Sequence, residues 1–253
     1  MERSSNHETV SAMIVAHPGH ELLLHHWLEI DRPIVFALTD GSGGHGEDRR
    51  PLSLRIIQSA GASVGSVFGL APDKQWYAAI LAGDYGLFDQ ASRLIAAACR
   101  AAGVTRIVTD PVEFYNPMHD LCHALAAGIV RSLRGSGASN VGLFDYAIER
   151  PDRRSIPAAM EFSLTDEALR RKLGAIASYL PLASEAERHA GTVRNHACER
   201  LYAIDATEAW PCQLVEEPFY EQFGRRRISD GVYRELITYH AHVRPMAATL
   251  RGD

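Results

Sequence analysis

Through roughly the first 150 residues, apolar runs of strand length alternate with segments of helical periodicity, and this alternation constrains the fold more than any other feature. "SAMIVA" (11–16), "RPIVFALTD" (32–40), "GSVFGL" (65–70), "VTRIVTD" (104–110) and "NVGLFDYAI" (140–148) read as strands. Helical patterns fall between them, at 21–30, 52–62, 88–103 and 119–133, with Gly103 as a helix-ending residue. Strands that take turns with helices build a parallel sheet covered on both faces, so the predicted class is α/β.

Beyond residue 150 a helix is predicted over 165–180, opened by Thr165 or Asp166. "ERLYAID" reads as a late strand and "SDGVYRELITYHAHV" (229–243) as a closing helix. No stretch rich in Pro, Gly or Ser is long enough to be a linker; "LRGSGASN" (133–140) reads as an ordinary connection. The expectation is one domain over residues 1–253.

Composition closes off several function classes. Net charge is -5, with signs interspersed, which gives no basic footprint for nucleic acid. No apolar run approaches the ~20 residues that span a bilayer, and "MERSSNHETV" lacks an apolar leader, so the expected location is cytoplasmic. The four cysteines form no CxxC pair, which fits reduced thiols.

In open parallel sheets, ligands bind beyond the carboxyl ends of the strands. Strand one delivers His17 and His20 there. Strand two delivers Thr39, Asp40 and the loop "GSGGHGEDRR", with His45, Arg49 and Arg50. Strand four delivers Asp110, Glu113, Asn116, His119 and Asp120. Three protein ligands plus water make a catalytic zinc site, and His17, His20 and His119 would supply such a set. The plainer reading of His17 and His20 is a turn histidine and a helix cap. His119 and His123 share a helix face, so one can ligate while the other packs or bonds a carbonyl. His25 and His26 read as surface or packing residues. The glycine loop matches no dinucleotide or P-loop pattern and reads as the border of a substrate cleft. Asp40, Arg49 and Arg50 lie on that border, the arginines as grips for a polar substrate or as solvated charge.

"AHPGHE" after the first strand resembles the AHPDDE signature of the PIG-L/LmbE-like zinc deacetylases. "TDGSGGHGEDRR" resembles that family's loop after strand two, and "YNPMHD" stands where the family has HPDH. The resemblance spans about residues 10 to 135. It implies a Rossmann-like fold and a single Zn2+ held by His17, His20 and His119, with His20 standing where the family has aspartate. It also implies a small-molecule substrate, an N-acetylated amino sugar or conjugate, whose amide carbonyl is attacked by zinc-bound water. The family's base aspartate is Gly19 here, and the first histidine of HPDH is Asn116. Asn116 is then the candidate to hold the oxyanion, and Glu21 and Glu113 are the candidates for the base, with Asp120 and His123 as more remote options. The loss of the aspartate motivates an alternative, a metal- or carbohydrate-binding protein without catalysis. A third reading is a different reaction using iron, cobalt or nickel. The Tyr-, Phe- and Arg-rich segment over 216–245 reads first as a closing helix that packs on the sheet; such residues also suit a polar-ligand cleft or the interface of a homo-oligomer.

Overall fold

The computed structural model describes residues 9–43, 46–138, 140–149, 157–179 and 196–253. His45 and the last residue of the predicted 165–180 helix lie outside them. Seven strands form one sheet: β1 (Ser11–Val15), β2 (Ile34–Thr39), β3 (Ser63–Ala71), β4 (Arg106–Thr109), β5 (Gly142–Asp145), β6 (Met160–Ser163) and β7 (Cys198–Ile204). Their order is β3-β2-β1-β4-β5-β7-β6. The first five run parallel; β7 pairs antiparallel with β5, and β6 antiparallel with β7. This is the predicted α/β sheet with an antiparallel edge added.

The central strands are apolar on both faces because helices cover both faces. In β1 the side chains alternate: Ala12 and Ile14 enter one core, Met13 and Val15 the other. Phe36 and Leu38 of β2 go with the first, Val35 and Ala37 with the second. On the second face lies α1 (His25–Asp31), with Trp27 and Leu28 in its core. Nearby on the chain, α2 (Arg50–Ser59) adds Ile57. On the first face lie α3 (Asp73–Ala82), α4 (Gly86–Ala102) and α5 (Pro117–Gly135). The helix α5 is buried along most of its length. Asn116 caps it by accepting the Met118 amide at 2.8 Å, and Pro117 occupies the first turn, where no amide is missed. A Cβ on Gly128 would stand 2.0 Å from the Leu250 carbonyl, so glycine lets the C-terminal helix reach α5.

Four expectations need correction. The segment 21–30 does not form one helix: a 3-10 turn over His20–Leu24 precedes α1. The fifth strand is short, because Tyr146 already turns out of the ladder. The helix α3 and strand β6 were not foreseen. The closing helix predicted over 229–243 is displaced: α7 (Phe219–Ser229) ends where that prediction begins. Gly231, at φ 72°, lets the Val232 and Tyr233 amides fold back onto the Arg227 carbonyl, which ends α7. Helix restarts as a π turn over Tyr239–Val243, capped by Thr238, and continues as α8 (Arg244–Arg251). Thr165, not Asp166, caps α6 (Asp166–Ser178), its Oγ1 accepting the Ala168 amide at 3.2 Å.

Candidate metal centre

Strand order reverses between β1 and β4, where an open parallel sheet leaves a crevice. Each of the five parallel strands brings a polar group to that rim. His17 and His20 follow β1, Thr39 ends β2, Asp73 follows β3, Asp110 follows β4 and Tyr146 follows β5. Opposite them, His119 sits in the first turn of α5.

The three imidazoles of His17, His20 and His119 converge. Their ring centroids are 5.4 Å (17 to 20), 5.4 Å (17 to 119) and 4.6 Å (20 to 119) apart. Imidazoles bound to one ion through bonds of about 2.1 Å have centres roughly 5 Å apart. Two of the rings are held from behind by carboxylates. His17 Nδ1 lies 2.9 Å from Thr39 Oγ1 and 3.0 Å from Asp73 Oδ1. His20 Nδ1 lies 2.9 Å from Asp110 Oδ2. The opposite nitrogen, Nε2, of each is thereby left as the ligating end. His17 Nε2 is buried without a hydrogen-bond partner, and so is His119 Nδ1. Buried nitrogens without partners are costly in a closed protein and expected where an ion belongs. The donor set and these orphaned atoms fit a divalent cation.

Among the described residues, the donor atoms that lie within 4.8 Å of one another are those of His20, Asp110 and His119; His17 stands outside that set. Asp110 is already heavily engaged. It accepts the Ala16 amide at 2.8 Å and the Tyr146 hydroxyl at 2.7 Å besides pairing with His20. The charges follow from the packing. Burial opposes ionisation of Asp110, yet the His20 ring beside it holds its pKa down at about 2. Burial likewise opposes charge on His20, but Asp110 outweighs it and raises the pKa above the usual 6.5. Burial, and then the positive charge of His20, drive His119 well below 6.5, so it is a neutral imidazole.

The other predicted residues fall around this cluster. Glu21 is buried; one oxygen accepts the Gly19 amide at 2.7 Å and the other the Ser53 hydroxyl, and burial raises its pKa. Glu113 accepts the amides of Ile148 (3.1 Å) and Glu149 (2.7 Å), one on each oxygen. Both carboxylates thus hold backbone in place. Asn116 Oδ1 takes the Tyr77 hydroxyl at 3.1 Å as well as the cap amide, leaving its NH2 as the end able to donate to a ligand. Asp40 secures the loop and the next helix through the amides of Ser42 (2.9 Å) and Asp73 (3.1 Å). Arg49 packs against Gly41. Arg50 forks onto Asp48 and reaches the Gly69 carbonyl near the end of β3. His123 Nδ1 meets the Asp110 carbonyl at 2.9 Å, the backbone-bonding role of the 119/123 pair. His25 is buried and His26 pairs with Glu29 at 3.1 Å.

Sequence reasoning places Asp110 on the rim without assigning it a partner, and does not single out Asp73 or Tyr146. The signal for each was its place just past a strand end; Asp73 was lost because β3 was ended one residue early and α3 was not seen.

No protein-family model and no curated protein matches the sequence. Solved structures do. The chain resembles a deacetylase from the teicoplanin biosynthesis pathway, with TM-score 0.54, 13% identity, and coverage of 78% of this chain and 99% of that one. It resembles the A40926 pseudoaglycone deacetylase Dbv21 with TM-score 0.54, 15% identity, and coverage of 80% and 100%. The chain has the fold of these deacetylases. At such identities the likeness is one of architecture.

Proposed function

We propose that the protein is a metal-dependent amide hydrolase, a deacetylase of small N-acetylated molecules, with amino sugars as the first substrate class to test. The observation that carries this reading is the convergence of three imidazoles, two of them oriented by carboxylates, at the crevice where this fold binds ligands. His17, His20 and His119 would hold zinc, with Asp73 and Asp110 behind the first two. Zinc so held acidifies a coordinated water and polarises a carbonyl. Asp110 and Tyr146 fix the orientation of the His20 ring, and the Asn116 NH2 is the donor available to an oxyanion. The deacetylase-like architecture and the family resemblance of residues 10–135 support the same reaction class.

A second reading, metal binding without hydrolysis, draws on the turn at Gly19. That residue stands where the family has its base, and its φ of 111° disfavours any side chain. Glu21 and Glu113, the alternatives, spend both oxygens on other groups. The experiment that separates the two is amine release from N-acetylglucosamine derivatives by zinc-loaded protein, with His119→Ala as control. Zinc-loaded protein that releases amine, lost in the variant, supports the hydrolase. Zinc-loaded protein silent across a broad acetamide panel supports the second reading.

A further inference from the structure

A row of aromatic rings runs from Tyr115, beside Asn116, out to the surface of α7. Tyr115, the residue before Asn116, stacks on Phe219 with centroids 4.4 Å apart and planes within 1°. Phe219 faces Phe223 at 6.1 Å, and Phe223 meets Tyr233 at 6.4 Å. The Tyr115 end therefore adjoins Asn116 in the chain, and Asn116 accepts the Tyr77 hydroxyl at 3.1 Å.

These rings are not a finished core. Phe223 is 40% exposed, Tyr233 45% and the adjoining Val232 51%. An arginine completes the surface: the Arg227 guanidinium lies 5.9 Å from the Phe223 ring centre and 5.7 Å from that of Tyr233, with its Nε buried and unbonded. Open rings that begin beside Asn116 and carry a cation suit a flat group.

We propose that Tyr115, Phe219, Phe223 and Tyr233 form a subsite for an aromatic group of the substrate, attached to the acylated amine whose amide faces the histidine cluster. This rests on the hydrolase reading, and its test is one of binding, so that the two can fail separately. The probes are the 4-nitrophenyl and methyl glycosides of N-acetylglucosamine, titrated calorimetrically into the full chain, with amine release measured in parallel. The aryl glycoside is expected to bind about tenfold more tightly, an advantage that Phe223→Ala removes and that both Phe223→Tyr and the distant surface control Ile30→Ala keep. Equal affinities, or no measurable binding of the aryl glycoside, overturn the subsite even if amine is released. An aryl preference without amine release keeps the subsite and counts against hydrolysis. A wild-type oligomer that Phe223→Ala converts to monomer, seen by light scattering, overturns the subsite in favour of an interface between copies.

Discussion

His20 Nδ1 and Asp110 Oδ2 stand 2.9 Å apart although 90 positions separate them in the chain, and Asp110 is fully buried. The pair links the end of β1 to the end of β4, the two strands that flank the reversal of strand order. A carboxylate behind an imidazole fixes which nitrogen carries the proton and where the other points.

Asp110→Asn is therefore expected to weaken zinc binding by about 10- to 100-fold while leaving the fold intact. Competition against a fluorescent chelator measures this. Unchanged affinity would assign Asp110 a purely structural part.

The same pair sets a pH dependence for the metal-free protein. Asp110 falls from 3.8 to about 2 on folding, so its contribution to stability is present above about pH 4 and lost as pH falls through about 2. His20 is raised above 6.5, so its contribution is full below about pH 6.5 and lost as pH rises through the folded value. Urea titrations across pH are expected to show both limbs, and Asp110→Asn to flatten them. Parallel wild-type and variant profiles would contradict the coupling.

Gly19→Asp restores the family's residue, yet it is not expected to restore that chemistry. At φ 111° a side chain costs about 1–2 kcal/mol, and the turn also places the Gly19 amide on Glu21. The variant is expected to be less stable by roughly that amount in urea, with no gain in amine release. A more active variant of unchanged stability would mean that the turn relaxes freely.

How much of this the sequence carried depended on how local each signal was. Strands β1, β2 and β4 announce themselves because both of their faces are apolar, and the helices between them because one face is. The rim residues His17, His20 and His119 followed from the rule that ligands gather at strand carboxyl ends. Asp110 and Asp73 lie on the same rim, but pairing with an imidazole is a tertiary fact that spacing does not encode. The terminal region departs from the expected helix because Gly231 ends α7 and Thr238 caps a fresh start, so that one apparent periodicity is split between two helical segments.

The late region also holds a clamp on the turn and helix that follow His20. Lys172 and Glu199 are buried and paired at 2.8 Å. Lys172 Nζ donates to the Leu23 carbonyl, and Glu199 accepts the amides of His26 and Trp27 at the start of α1. Removing one partner leaves the other charge buried. Lys172→Met is thus expected to cost about 3–5 kcal/mol in urea unfolding. A loss under 1 kcal/mol would show that the pair is dispensable.

The most direct measurement is metal content. Wild-type protein exposed to zinc and then exhaustively dialysed, with zinc counted by elemental mass spectrometry, is expected to retain about one ion per chain. His17→Ala, His20→Ala and His119→Ala are each expected to lose it while keeping their circular-dichroism spectra. Wild-type protein that emerges free of zinc, or a His119→Ala variant that keeps its full complement, would contradict the three-imidazole centre.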